Sequence, residues 1–597
     1  MARIADPDSD YKVSSHKVGK YVYATTQPAI IDPETGKKTH KHKTWGTLEG
    51  NMFIPGKSYR LASPEVRARL IFPDGWDMTE ANRYSGNKSA GRPAYVGEAS
   101  NRFYGDIWLL EHIADDIGIR QDLERVFSGN TELVDDIMTL AMYPYLSGMT
   151  YNRLARNQRL FRYPSDTVLT SPIITAITQS ITETHRSSLL KLRSNRIGKD
   201  ELCAIDSTSR SAYGRSLVDI RWGKNKDHLP LAQTVEVVVY SMSSHLPVYY
   251  RSFPGNMPDS RSLEVIRKDL ERAGFEDYIM ITDRGYYSLK NLEKIIWQGQ
   301  KMLMFIKTDI SYVYDAIRGY GEYNDHPGEM TIDKDTRLYY QQFELEYTVE
   351  GNGKSEHKAD RLYLDLYLDT VRRSEELAEL EVEILTGQEE LEDKLRSGEE
   401  ISEADEAAFK RRVKYFKYTL TTTRQIKSYE KNEKKIQKAK QLSGFFSLLT
   451  HKLDYAPMEA FQTYRLRDEQ EKYFQQMKDQ MGFDKQGNWS EEGKAGRLFI
   501  SFVGLMLSSQ VRHVWKTTEL HEQFDSSLAV LDEMRSIRCI EQEGKSRIIT
   551  PFVGAQIDIC KAFGFDIPEG CSPEYVSRKN GEKRRGRPRK RAVEIDS

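Results

Sequence analysis

Two aspartates close short apolar runs. Leu202-Cys203-Ala204-Ile205 ends at Asp206 and is followed by Ser207-Thr208-Ser209. The run from Tyr278 to Thr282 ends at Asp283 and is followed by Arg284-Gly285. A carboxylate at the C-terminal end of a strand sits at the rim of a sheet, where loops open a cleft. Two of them on neighbouring strands would offer hard oxygen ligands to Mg²⁺, which keeps several waters for substrate phosphates. Aspartate also ends strands as an ordinary turn former, so the pair alone is a weak signal.

A third group of residues strengthens it. Tyr464, Arg467, Glu471 and Lys478 lie in TYRLRDEQEKYFQQMKDQ. On an α-helix at about 100° per residue their offsets fall at roughly 0°, 300°, 340° and 320°, one narrow stripe. The stripe offers a phenol, a guanidinium, a carboxylate and an ammonium. A solvated charged face with pairs such as Arg467–Glu471 is the bland alternative. Leu466, Tyr473, Phe474 and Met477 give the same helix an apolar side that would anchor it.

The elements that must hold these groups can be read from hydrophobic periodicity. Gln233 to Tyr240 and Leu246 to Arg251 read as strands joined by a short turn. Helical spacing follows from Ser260 to Ala273. Asp277 to Asp283 is a strand, Ser288 to Trp297 a helix and Lys301 to Lys307 a fifth strand. Three meandering strands followed by helix–strand alternation predict an α/β mixed sheet with helices on its faces. Helical spacing also runs from Ile107 to about Leu192, and residues 17–60 read as short strands and turns. After residue 308 comes a long excursion, strand-like at first. It continues as two helical segments of opposite sign, Glu375–Glu406 and Lys410–Lys440, expected to neutralise each other, with DNA phosphate a further partner for the basic one. Strand character returns at Gly444 to Thr450, with helices expected from about Pro457 to Lys478 and from Ala495 to Thr517.

The chain of 597 residues has 88 Lys and Arg against 89 Asp and Glu, so a uniformly basic nucleic-acid coat is excluded while local basic surfaces are not. No run of about 18 apolar residues reads as a membrane span, and no signal-type stretch opens the sequence. Cys203, Cys539, Cys560 and Cys571 are scattered without CxxC spacing, which argues against a disulfide scaffold or structural zinc and for a reducing cytoplasm. His40, His42 and His451 have no partners at metal-ligand spacing. Lys224, Lys226 and His228, on the loop before the second strand, read as a solvated loop rather than as a catalytic base. Asn256, in Pro254-Gly255-Asn256-Met257-Pro258, reads equally as a turn former or a substrate contact.

The spacing Y-x2-R-x3-E-x6-K resembles the signature of insertion-sequence transposases of the YREK group, the IS-four superfamily. AIDSTSRSAYG resembles their first-aspartate motif, and PVYYRSFPGNMPDSRSL followed by MITDRGYYS resembles their second. The likeness covers about 105–520. It implies a ribonuclease H-like five-stranded mixed sheet interrupted by a large insertion. It implies that Asp206, Asp283 and Glu471 form a metal-binding catalytic triad for two Mg²⁺ ions, with Mn²⁺ able to substitute. Tyr464, Arg467 and Lys478 would hold DNA phosphates, in relatives beside a hairpin at the transposon end. Trp297, Tyr286 and Tyr287 are candidates for stacking a flipped base there, against an ordinary place in the core.

The implied activity is cut-and-paste DNA transposition by 3′-end cleavage and strand transfer. The implied partners are terminal inverted repeats, target DNA and a second copy of the chain, in a prokaryotic cytoplasm and on the nucleoid when DNA-bound. A structure-specific nuclease and a non-catalytic DNA-binding protein are the competing functions. The expected organisation is a β-rich end-binding region (1–105), only loosely similar to the family, a helical module (106–198), the catalytic core in two parts (199–307 and 444–517) around an insertion lobe (308–443) whose charged helical arms depart from it, and a C-terminal helical region suited to dimerisation (518–576). A basic tail (577–597) completes it. From Arg578 to Arg591 the tail has nine bases and one acid, and Arg585-Gly586-Arg587-Pro588-Arg589 resembles an AT-hook, with Arg585, Arg587 and Arg589 placed to enter a narrow minor groove.

Overall fold

The computed structural model describes residues 11–27, 29–31, 38–40, 42–82, 100–212, 217–226, 230–320, 330–350, 357–467, 485–486, 490–542 and 547–572. The chain folds as two compact units. The first comprises residues 1–104, 155–169 and 537–551, and the second 105–154, 170–536 and 552–597. In the first unit, strands Ser14–Val18, Tyr21–Thr26, Lys43–Glu49 and Met52–Pro55 form an antiparallel sheet over Trp45, Phe53 and Tyr59. A second small sheet pairs Arg538–Glu541 with Ser100–Phe103 and with Ile548–Ile549, and Glu541 there binds both Arg102 and Arg162.

The second unit is built on one large mixed sheet. Its first strands are β1 (Leu202–Ala212), β2 (Gln233–Ser241) and β3 (Leu246–Pro254), followed by α1 (Asp259–Arg272), β4 (Ile279–Thr282), α2 (Leu289–Gln298) and β5 (Met302–Ile306). The spatial order is β3-β2-β1-β4-β5, antiparallel through β1 and parallel from β1 to β5. That is the ribonuclease H-like arrangement the resemblance implies. β2 is buried along its whole length, as its run of valines requires. α1 buries Leu263, Ile266 and Leu270 and α2 buries Leu292, Ile295 and Ile296, each a single stripe at helical spacing. The Ser288 hydroxyl accepts from Asn291 N to start α2, and Gly299, at φ 67°, ends it. Among the described residues no helix is long and apolar enough to cross a membrane.

Two expectations need correction here. β1 does not stop at Asp206. Its pairing with β2 continues from Asp206–Val238 to Ser211–Gln233, so the apolar run ends while the hydrogen-bonded ladder goes on through serines and threonines. The basic segment 410–440 is not one helix. Phe416–Leu420 and Ile426–Lys431 form a hairpin, because Phe416, Tyr418 and Leu420 alternate with polar residues at strand period and Arg424 takes the positive φ of the turn.

The sheet does not end at five strands. β6 (Tyr339–Glu350) and β7 (His357–Leu368) belong to the excursion, and β8 (Phe445–His451) follows it. They continue the sheet in the order β5-β8-β7-β6, all antiparallel. Ile306 pairs with Ser447, so the chain leaves and re-enters the sheet at adjacent positions. Beyond β7, α3 (Thr370–Ser397), the hairpin and the short helices around it enclose their own core of Leu380, Ile384, Leu391, Phe409, Phe416 and Ile436. The opposite charges do meet: Arg412 pairs with Glu390 at 2.7 Å and Lys414 with Glu383 at 2.8 Å.

One carboxyl in this extension is fully buried. Asp365 on β7 faces Gln342 of β6 across the ladder, and its Oδ1 accepts from Gln342 Nε2 at 2.8 Å. Burial pushes its carboxyl up to about 6, against the smaller opposing effect of that hydrogen bond. A folded-state value above the unfolded one favours folding fully below the unfolded value, and the benefit is lost as pH rises through 6. We predict that Asp365→Asn leaves stability unchanged near pH 4 and raises it by about 2–3 kcal/mol at pH 8, measured by urea unfolding at both pH values.

Candidate active site

The register of two strands sets the centre of the site. β4 runs parallel to β1 with Ile279 beside Leu202 and Thr282 beside Ile205. The next residues, Asp283 and Asp206, therefore stand at the same level on neighbouring strands, which lie about 4.8 Å apart. β4 ends there, and Asp283 caps the turn that follows, its Oδ1 accepting from Arg284 N at 2.6 Å. Asp206 is 7% exposed, and its Oδ1 accepts from Ser207 N at 2.8 Å.

Two cations converge on the same oxygen. Arg467 Nη2 lies 3.3 Å from Asp206 Oδ1, and Lys226 Nζ lies 4.0 Å from it. Arg467, 5% exposed, also donates through Nη1 to the Tyr464 hydroxyl at 3.1 Å. Tyr464 packs its ring against Phe305 of β5, with centroids 5.5 Å apart. Burial pushes the Tyr464 phenol well up; Arg467 opposes the shift, while Asp283 and Asp206 add to it. Tyr464 and Arg467 thus join the two aspartates in one cluster.

Their local backbone differs from the expected single helix. α4 (Pro457–Arg465) ends before Arg467, and Arg467 N bonds to Tyr464 O at 3.0 Å in a tighter turn. Neither Gly nor Pro lies here to announce a stop. The turn coincides with Arg467 folding inward to Asp206, and Leu466 is left 46% exposed rather than in the core. Glu471 and Lys478 lie outside the described residues, as do Arg585, Arg587, Arg589 and His228.

Sequence reasoning did not single out Ser207 or Asp259 as site residues, and it favoured a solvated loop over a catalytic base for Lys226. The Ser207 hydroxyl donates to Asp259 Oδ1 at 2.7 Å and accepts from Lys226 Nζ at 2.8 Å. Asp259 opens α1, where an acid is explained by the helix dipole alone, and Lys226 belongs to a polar loop, so neither carries a signal of its own in the sequence. Tyr286 is buried beside this cluster, with its hydroxyl pushed well up by burial and then by Asp259 and Asp206. The other candidates lie elsewhere. Tyr287 bonds to Tyr312, and Trp297, 40% exposed, lines a separate cavity with Arg267 and Lys294. His451 is fully buried between Gln300 O and Asp360, in a structural role. Asn256 is exposed.

The donor set fits a hard divalent cation. Asp206 and Asp283 present acceptor-only oxygens at one level, beside cations that already balance Asp206. Among the described residues no group of three His, Cys, Asp or Glu side chains is close enough to hold a metal. A cleft of about 440 Å³ between the core and the α3 lobe, lined by Arg284, Lys307 and Arg372, adjoins Asp283.

Comparison with known proteins places the chain in a family. The family described as Transposase DDE domain matches residues 197–507, a span that contains Asp206, Asp283, Tyr464 and Arg467. Comparison with curated proteins gave no match. Among solved structures, the chain is similar to the piggyBac transposase of a cryo-EM synaptic complex with hairpin DNA, at 9% identity and a TM-score of 0.30, over 79% of this chain and 80% of that one. The family match covers more than half of the chain, and the chain belongs to the DDE transposase family: it is a DNA transposase enzyme.

Proposed function

We propose that this transposase moves its element by cut-and-paste, freeing a 3′-hydroxyl at each end and joining it to target DNA. The observation that carries the reading is the pairing of Asp206 with Asp283 at one level of the sheet, with Arg467 bound to Asp206. Asp206, Asp283 and Glu471 would hold two Mg²⁺ ions, or Mn²⁺ in their place, which supply an activated water or 3′-hydroxyl and stabilise the leaving oxygen.

The chain's own groups do the positioning. Arg467 orients the Asp206 carboxylate and presents a planar fork suited to phosphate. Tyr464 holds that guanidinium in place through its hydroxyl. Lys478 would add a point-charge contact, and a hairpin at the transposon end is the intermediate these residues would serve. Two copies would pair two terminal inverted repeats, with the 1–105 region on the ends and 518–576 between copies, in a prokaryotic cytoplasm at the nucleoid.

Asp206→Asn or Asp283→Asn should abolish end cleavage while end binding stays within about threefold, measured by gel assays on an end duplex with Mg²⁺. Full cleavage by either variant would defeat the mechanism. Cleavage without joining in the wild type would favour a nuclease, and a denaturing gel would reveal the hairpin. Removing residues 577–597 should flatten the salt dependence of DNA binding, more on A·T-rich than on G·C-rich duplex, and leave cleavage intact. Unchanged binding on both duplexes would remove the tail from DNA recognition.

A further inference from the structure

Part of the loop between β1 and β2 brings one side chain to β1. Lys226 N donates to Ser209 Oγ at 3.0 Å, and Asn225 Nδ2 donates to Ser211 Oγ at 3.0 Å, so residues 225 and 226 lie along β1. Gln233 Nε2 bonds to Lys224 O at 2.9 Å and to Gly255 O at 3.2 Å, tying the loop to the turn after β3. At Gly223 a Cβ would come within 2.0 Å of Gly255 O, so no side chain fits where the two segments touch. These constraints deliver the Lys226 ammonium beside Asp206.

Its contacts there are unusual for a structural lysine. Nζ is 4.0 Å from Asp206 Oδ1 and 3.9 Å from Asp259 Oδ2, both beyond hydrogen-bonding distance. Among the described residues its hydrogen bonds go to two neutral acceptors, the carbonyl and hydroxyl oxygens of Ser207. An ammonium has three donors, so one remains for another acceptor. The side chain is 41% exposed, so that donor can reach solvent beside Asp206. The acids gathered here, Asp206, Asp259 and Asp283, would repel a DNA phosphate unless cations face it.

Resting on the DDE reading above, we propose that Lys226 is a catalytic residue whose ammonium contacts a non-bridging oxygen of the scissile phosphate, with Asp259 as the positioning residue that holds it through Ser207. In the cut, a bond forms from water oxygen to phosphorus as the bond from phosphorus to the 3′ oxygen breaks; the water gives up a proton to solvent and the 3′ oxygen takes one up, leaving a 3′-hydroxyl and a 5′-phosphate. Lys226 offsets the charge that grows on the non-bridging oxygen and keeps its own proton throughout. A cation fixed in advance costs no reorganisation at that moment.

The test is Lys226→Cys with chemical restoration of the charge. Cys203, Cys539, Cys560 and Cys571 are all buried, so a new cysteine in this half-open loop can be alkylated selectively. The unmodified variant should cleave an end duplex with kcat down about 100-fold, while KM for DNA stays within about threefold and Tm is unchanged. Alkylation with 2-bromoethylamine, which restores an ammonium at nearly the same reach, should recover activity to within about tenfold of wild type. Iodoacetamide, which adds a neutral group, should not. Asp259→Asn should lower kcat with KM unchanged, and Lys226→Arg should retain more activity than the cysteine variant. Activity of Lys226→Cys within about threefold of wild type, or equal recovery with both reagents, would overturn the assignment. So would a loss that the ammonium does not restore. Asp206→Asn run alongside separates the two claims: if it is inactive while Lys226→Cys is active, only the lysine assignment fails, and if it is active the DDE reading fails first.

Discussion

Two carboxylates at one level on neighbouring strands repel each other by about 3 kcal/mol at an effective dielectric near 20, and the organisation of the catalytic unit follows from that constraint. The parallel register of β1 and β4 fixes the pair, because Thr282 beside Ile205 leaves no other level for Asp283. The charge then has to be balanced from outside the two strands. Arg467 arrives from the turn after α4 and Lys226 from the β1–β2 loop, and both reach the same oxygen of Asp206. Each cation also bonds to a neutral hydroxyl, the guanidinium to Tyr464 and the ammonium to Ser207.

The excursion between β5 and β8 serves the same sheet in two ways. β6 and β7 lengthen it, which buries β8 between two partners instead of leaving it as an edge. α3 and the hairpin make a separate small core, and the acids and bases of the two segments spend much of their charge on each other. The remaining cations of the adjoining cleft, Arg284, Lys307 and Arg372, lie on the side of Asp283. The sheet extension is possible because the chain departs after Ile306 and returns opposite it at Ser447.

The acids and the sheet order were legible because period, strand length and strand-end chemistry all act locally. Asp283 follows a four-residue buried strand, and the helices α1 and α2 show single apolar stripes. What escaped was either masked by charge or created by the fold. In 410–440 the count of lysines and arginines hid a period of two carried by Phe416, Tyr418 and Leu420. The end of α4 was hidden because a buried contact to Asp206, rather than Gly or Pro, accompanies it. Lys226 and Asp259 are 33 positions apart in the chain, and only the β1–β2 loop passing over β1 brings both to Ser207.

The central claim, that Asp206 and Asp283 are two ligands of one metal centre completed by Glu471, is tested most directly by diffraction. The crystal would hold the protein, a transposon-end duplex and Mn²⁺, with data collected for anomalous scattering. The account predicts manganese peaks within ligand distance of the Asp206 and Asp283 carboxylates, with Glu471 as a further ligand. Manganese bound to the protein–DNA complex only at ligands other than Asp206 and Asp283 would contradict it.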